Sequence, residues 1–373
     1  MAKIAYIDHS YHKKTVSTDF LPEILRRHGH DVDYHWDEAW IGGATVRWDA
    51  VEKYDVVIMF QSFCDIGNQY FRNLHPNVVF IPMLDQFGVW QGPLVNLSSF
   101  WEPFQGSKVL SFSNALHAMA IGAGVRSFFA RYYQPARERC SQNTGGLRGF
   151  FWLRRESEMP WALIRQLIAG TRFESFHVHL ATDPGTPSPT VPSADDVGQF
   201  NITTSTWFES KSDFEAVLDK ANVYFAPRLE EGIGQSFLEA MSRGQCVVAP
   251  NHGTMNEYIM PGLNGLLYDP KNPVALDFSD ALVMGDNARV AVAYGRKSWE
   301  ALESELVRFI LTPSEELYRG KYAHPLARQT SVAGSNAAGG IKEQLRMLSR
   351  ESRLLRQTRP IWHPIKRMVD RFF

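Results

Sequence analysis

Ala226-Pro227-Arg228-Leu229-Glu230-Glu231-Gly232-Ile233-Gly234-Gln235-Ser236-Phe237-Leu238-Glu239-Ala240-Met241 reads as a strand end, a glycine-bearing loop and a helix start in succession. The apolar run 223–226 is strand-like and stops at Pro227, which has no amide hydrogen to extend a ladder. A helical pattern then runs over 235–243 and ends at Gly244. The first amides of such a helix have no partner inside it, so they and the positive helix end face whatever sits above the loop. An anion or sugar hydroxyls would fit there. Glu231 lies on the loop and Glu239 inside the helix, seven residues apart, which excludes a simple i,i+4 surface pair. One carboxylate can meet a ligand's sugar and the other its second polar ring.

Outward from this run, strand and helix patterns alternate. Strands are expected at 150–153, 176–180 and 246–249, and helices at 161–168 and 213–220. Residues 182–196 hold Pro184, Pro187, Pro189 and Pro192 and read as an exposed loop. The polar, glycine-bearing stretch 140–149 is the linker. Before it, strands at 3–7, 31–35, 56–60, 78–81 and 109–113 alternate with helices at 19–27 and 114–121, the former stopped by Gly29. Alternation of this kind implies parallel sheets covered by helices. The expectation is an α/β chain of two facing Rossmann-like domains, 1–140 and 145–310, with a basic helical tail over 311–373. Ligands of open parallel sheets bind beyond the carboxyl ends of the strands, which places the chemistry in the cleft between the domains.

The 373 residues suit two domains. Lys+Arg 39 against Asp+Glu 40 leaves a net charge of -1, which gives the molecule no overall attraction to nucleic acid. Cys64, Cys140 and Cys246 are widely separated and form neither a disulfide framework nor a thiolate zinc set, as expected of a cytoplasmic protein. The apolar run at the N-terminus is too short for a signal peptide, and no stretch reaches the roughly 18 apolar residues of a spanning helix.

The run 226–241 resembles the E-x7-E signature of the retaining glycosyltransferases of GT-B family 4, also called group 1. The similarity continues through Val247-Val248-Ala249-Pro250-Asn251, the loop 253–257 and Gly262-Leu263-Asn264-Gly265-Leu266-Leu267-Tyr268-Asp269-Pro270. It reaches Leu25-Arg26-Arg27-His28-Gly29-His30-Asp31-Val32 in the first half and 289–309 near the end. The resemblance implies transfer of a sugar from a nucleotide diphosphate sugar to an acceptor hydroxyl with retention. Glu231 would meet the donor sugar near the reacting centre and Glu239 the nucleotide ribose. Backbone amides of Gly232, Ile233, Gly234 and Gln235 would hold sugar hydroxyls or phosphate. No cofactor besides the donor is implied, and no metal, because cations and helix ends can stabilise the leaving diphosphate.

One departure stands out. Such proteins carry an arginine, four residues and a lysine after the first strand of the second domain. This chain has Arg154 and Arg155, but the lysine position falls on Met159 or Pro160. Arg228, at a neighbouring strand end, is the candidate replacement. On the first domain, the donor-rich loop 8–15 offers His9 and His12 as acceptor-side groups, with His117 and Trp90 as further candidates and Trp101 flanking the same polar loop as Trp90. Asp8, His9 and His12 raise the idea of a metal site, but imidazoles in a lysine-bearing loop read as solvated groups.

Beyond Arg319 the charge turns basic. Ile361, Ile365, Met368, Val369, Phe372 and Phe373 fall at helical spacing opposite Lys366, Arg367 and Arg371, the pattern of an interfacial helix. Residues 360–373 would then meet the inner membrane face, or dock on the chain's own first domain or a second subunit. The expected acceptor is a glycan or lipid-linked saccharide in cell-surface polysaccharide synthesis. A non-catalytic nucleotide-sugar or glycan-binding regulator and a nucleotide-sugar epimerase are the alternatives.

Overall fold

The computed structural model describes residues 1–62, 64, 66–67, 69–86, 99–137, 144–182 and 189–319. Trp90, Cys140 and the basic segment from 320 onward, with the helix expected at 360–373, lie outside the described residues.

The first sheet contains β1 (Lys3–His9), β2 (Asp31–Asp37), β3 (Val56–Phe60), β4 (Val78–Ile81), β5 (Lys108–Ser111) and β6 (Arg126–Phe129), in the order β2-β1-β3-β4-β5-β6. The second contains β7 (Leu147–Trp152), β8 (Phe173–His179), β9 (Ile202–Ser205), β10 (Val223–Phe225), β11 (Cys246–Pro250) and β12 (Gly265–Tyr268), in the order β12-β11-β10-β7-β8-β9. Every pairing in both is parallel. β3, β4, β10 and β11 are apolar throughout, as suits interior strands covered on both faces, and all five residues of β3 are buried. The helices are α1 (His12–Thr15), α2 (Phe20–Arg27), α3 (Phe71–Leu74), α4 (Asn114–Gly122), α5 (Trp161–Leu167), α6 (Ala194–Phe200), α7 (Lys211–Leu218), α8 (Gln235–Ser242), α9 (Ala281–Leu311) and α10 (Ser314–Arg319).

Three strands without a sequence expectation, β6, β9 and β12, are short edge strands with partly exposed residues. An edge strand needs no continuous apolar run, so the pattern that marks the interior strands is missing there. The end of the linker expected at 140–149 is already strand, since β7 starts at Leu147. Residues 194–200, which straddle the end of the proline-rich stretch, form α6 instead of continuing as loop. Its Ser193 hydroxyl accepts a hydrogen bond from the Asp196 amide at 3.1 Å, an N-cap.

The boundary expected at 310 falls inside α9. This 31-residue helix begins against β11 and β12 and ends on the first domain. Trp299, 2 % exposed, packs on Phe20, Phe112 and Tyr132. Lys108 Nζ donates to the carbonyls of Phe309, Ile310 and Thr312 at 2.7, 2.8 and 2.6 Å, which satisfies helix-end acceptors that would otherwise lack a partner. Tyr318 of α10 bonds Ser107 and Arg126. Residues 311–319 are therefore a clasp on the first domain.

The two sheets present their carboxyl ends to each other. Loops after β1, β4 and β5 meet loops after β10 and β11: Gln235 Nε2 donates to the Ser17 carbonyl, Arg228 pairs with Asp85, and Glu257 bonds the start of α4. One continuous core includes Met83 and Tyr132 from the first domain and Ile233, Phe237 and Tyr258 from the second.

Candidate active site

Each sheet order reverses direction once, between β1 and β3 in the first sheet and between β7 and β10, at the centre, in the second. From the end of β7 come Arg154 and Arg155; from the end of β10 come Arg228 and the loop carrying Glu231.

Gly234 starts α8 with φ 76°, a left-handed conformation that suits glycine, and a β-carbon there would meet the Phe237 ring. Gly232 is required for a different reason. A β-carbon on it would lie 2.8 Å from Met83 Sδ across the domain boundary. Thr254 fixes the loop from the other side, its hydroxyl donating to the carbonyls of Glu231 at 2.7 Å and Gly232 at 2.9 Å. Ile233 points into the shared core, and the Gln235 side chain is used on Ser17, so these two residues face the cleft through their backbones.

Glu231 is buried. Burial pushes its pKa up; Arg228 pulls against this, Asp85 adds to it, and Arg154 and Arg155 pull against it more weakly, leaving the carboxyl above its ordinary value. Arg228 lies 3.0 Å from Asp85 and 3.4 Å from Glu231. Burial opposes the Arg228 charge, but Glu231 and Asp85 overcome it and hold the guanidinium above its ordinary value. Its charge is thus shared between two carboxylates. Arg154 lies over the Trp152 indole at 5.3 Å, and Arg155 pairs with Glu158 at 3.1 Å. Met159, one of the two residues at the lysine position, has an inward side chain, 1 % exposed, whose sulfur accepts a hydrogen bond from Tyr268.

Glu239 Oε1 accepts from Arg137 at 2.9 Å and from Arg243 at 3.0 Å. A cavity of about 140 Å³ beside it is lined by Trp152, Phe214, Tyr224 and Ser236 among others. Arg137 belongs to the connection between the domains and also pairs with Glu215. Burial opposes the Arg137 charge, while Glu215 and Glu239 more than compensate and hold its pKa up.

Across the cleft, Asp8 is fully buried, and the oxygen and nitrogen atoms that Asp8, His9 and His12 offer lie within 4.8 Å of one another. The loop expected to be solvated is so only in part: Asp8 is buried and His9 and His12 are half-buried, while Lys13, Lys14 and Thr15 are exposed. His12 Nδ1 lies 2.7 Å from Asp8 Oδ1, and His9 Nε2 lies 3.1 Å from Gln61 Oε1. Burial first, then His12, lowers the His9 pKa, with Asp8, Gln61 and Asp85 acting in the other direction. His117 stands apart from this group: its Nδ1 is 2.9 Å from the Ser127 hydroxyl of β6, and its ring meets Phe129. Trp101 is buried in the first-domain core. Asp85, Gln61 and Arg137 carry no local signature, and Thr254 and Glu257 lie in the loop 253–257 that shares the resemblance but shows no sign in sequence of their contacts. Each is brought to the site by the meeting of distant segments.

Residues 193–295, which include Glu231 and Glu239, match the family model for glycosyl transferases group 1. No curated protein matches the chain. Among solved structures, HepE of Anabaena in complex with UDP and glucose is 15% identical, covering 82% of this chain and 100% of that one at a TM-score of 0.52. Sucrose-phosphate synthase from Thermosynechococcus elongatus is 14% identical, covering 85% and 99% at 0.58. The lipopolysaccharide outer core galactosyltransferase WaaB, in its apo form, is 13% identical, covering 82% and 99% at 0.54. At these identities the likeness is one of fold, and the fold is GT-B.

Proposed function

We propose that this chain is a glycosyltransferase that moves a sugar from a nucleotide diphosphate sugar to a hydroxyl of a glycan or lipid-linked acceptor, with retention of configuration, in cell-surface polysaccharide synthesis. One observation carries the reading: Glu231 and Glu239, both within the stretch that matches the family model, sit at the reversal point of the second sheet, Glu231 beside Arg228, Arg154 and Arg155 and Glu239 beside Arg137 and Arg243. Glu231 addresses the donor sugar and Glu239 the ribose through its second oxygen. Arg154 and Arg155 are placed for the diphosphate, and their positive charge favours the leaving group as negative charge develops on it. Arg228 acts by holding Glu231 and Asp85 together. The resemblance implies no metal or further cofactor.

The acceptor enters from the first-domain side, past the loop after β1. No helix among the described residues is long and apolar enough to cross a membrane. A cytoplasmic location is proposed, with residues 360–373 as a peripheral contact with the membrane.

A thermal-shift panel of nucleotide diphosphate sugars tests donor binding; a ligand at 100 times its Kd stabilises by about 2.7 kcal/mol. Glu231→Gln then tests the chemistry. Transfer and donor hydrolysis should fall while donor binding persists, and unchanged turnover would exclude this role for Glu231. The same assay without acceptor separates transfer from epimerisation. Donor binding without any turnover would favour a regulator.

A further inference from the structure

The segment that leaves the first domain also reaches the donor helix. After β6 it runs along α8 and α9 and is tied to them at consecutive residues. The Tyr132 carbonyl accepts from the Tyr258 hydroxyl at 3.0 Å, the Tyr133 carbonyl accepts from Arg296 at 3.1 Å, and Gln134 Nε2 donates to the Gln235 carbonyl at 3.0 Å. The Tyr133 ring lies over Gly295, where a β-carbon would come within 2.4 Å of it. A chain held in this way delivers its following side chains to α8 with little freedom. Arg137 is the one that arrives at Glu239: its Nη2 lies 2.9 Å from Glu239 Oε1 and 2.9 Å from Glu215 Oε1.

Glu239 Oε1 also accepts from Arg243, a buried side chain of the same helix, at 3.0 Å. Both guanidinium groups thus meet one oxygen, and Oε2 accepts no hydrogen bond from the described residues. A single bond would leave the carboxylate free to turn about its last torsion, which has broad minima, whereas donors from two segments fix its plane. The Glu239 side chain keeps 23% of its surface exposed, so a ligand can reach the carboxylate. Arg137 is 38% exposed, and ion pairs so open add little to stability. The consequence of its placement therefore lies at Glu239 and not in the fold.

We propose that Arg137 is a positioning residue for nucleotide recognition: with Arg243 it commits Oε1 of Glu239 and leaves Oε2 aimed at the hydroxyls of a ribose. This rests on the sugar-transfer reading above, in which Glu239 meets the nucleotide. The ligand class so selected is a nucleoside diphosphate with both ribose hydroxyls free. Because Arg137 belongs to the connection between the domains, recognition of the ribose is tied to how that connection is seated and not to the second domain alone.

The test is calorimetric titration of the full chain with UDP, GDP, ADP and CDP, and with the 2′,3′-dideoxy form of whichever binds most tightly, for wild type, Arg137→Ala and Arg137→Lys. Wild type should prefer the ribose form. Arg137→Ala should weaken binding of that form by about three- to tenfold, the worth of one well-directed hydrogen bond, and leave the dideoxy form within about twofold. Arg137→Lys, which keeps the charge without the guanidinium fork, should lie between. An equal loss for both forms would mean that Arg137 acts through its charge on the diphosphate or through the fold, and overturns the proposal. So does no loss at all.

Turnover of the matching nucleotide sugar gives the second readout. In Arg137→Ala the donor KM should rise with the dissociation constant and kcat should fall less, because the ribose is remote from the bond that breaks. A kcat loss larger than the rise in KM overturns the positioning role. If Arg137→Ala does not fold, Arg137→Lys decides by the same comparison of ribose and dideoxy forms. A wild type that binds none of the nucleotides counts against the sugar-transfer reading, and this inference falls with it. A wild type that binds the ribose and dideoxy forms equally leaves that reading standing and overturns this one.

Discussion

Arg228 of the second domain and Asp85 of the first form an ion pair at 3.0 Å across the cleft, with side chains only 14% and 15% exposed. Glu231 shares the same guanidinium, so the pair joins domain closure to the carboxylate expected to meet the donor sugar. Arg228→Ala would leave the buried Glu231 and the half-buried Asp85 without their counter-charge, and removing one partner of a buried pair costs roughly 3–5 kcal/mol, an upper bound here because Asp85 is half-buried. Because Glu231 already has a raised pKa, it should take up a proton more readily in the variant, and the loss should shrink as the pH falls. Arg155, more exposed and paired with Glu158, should behave differently. Arg155→Ala should weaken donor binding with a stability change below about 1 kcal/mol. Urea unfolding at two pH values beside donor titration separates the two cases; equal behaviour would refute the distinction.

Gly232 and Met83 define how closely the domains approach. Gly232→Ala should cost about 1–3 kcal/mol through overpacking and reduce transfer, because the donor loop must move to admit the new methyl group. Met83→Ala should restore much of the lost activity in the double variant. A double-mutant cycle showing simple additivity would mean the loop has room the geometry denies it.

His177 and His179 give a pH dependence of known sign. Burial, helped by Lys220, lowers His177 to about 4; burial, helped by His177, lowers His179 to about 4. Both share the Ser205 hydroxyl. Between about pH 4 and 6.5 the unfolded chain binds protons that the folded one refuses, so stability rises with pH across this window and is fully present above it. Each ring contributes a slope of at most about 1.4 kcal/mol per pH unit, less for the more open His177. His179→Phe should flatten the curve measured by urea unfolding, and an unchanged slope would show that the ring titrates normally in the fold.

Glu257 caps a helix of the other domain. Its carboxylate accepts from the Ser113 hydroxyl at 2.7 Å and from the amides of Asn114 and Ala115 at 2.6 and 3.2 Å, at the positive end of α4. Glu257→Ala should lower stability by about 1–2 kcal/mol and widen the cleft, visible as a larger radius of gyration in small-angle scattering. Glu257→Gln, which keeps an acceptor, should do less. Equal scattering for wild type and Glu257→Ala would show that other contacts suffice for closure.

Much of the architecture was legible in the chain. Interior strands such as β3 and β11 are continuous apolar runs because both their faces are covered. Helix ends are written in single residues such as Gly29 and Gly234, whose left-handed backbone excludes most side chains. The spacing of Glu231 and Glu239, set by a loop and a helix start, is likewise local. Edge strands β6, β9 and β12 escaped because half-exposed positions impose no pattern, and α9 gave no sign that its end belongs to the other domain. The chemistry across the cleft was out of reach for a stronger reason. Asp85 and Arg137 are ordinary charged residues in sequence, and Arg228 looked like a free cation until the distant Asp85 and the nearby Glu231 were placed beside it. Asp8 and His12 likewise read as parts of a solvated loop until β1 buried the carboxylate and set the imidazole against it. Local geometry follows from short-range sterics and periodicity that any window of sequence displays. Charge state and partnership follow from burial and from groups tens or hundreds of residues away, and only the folded chain decides those.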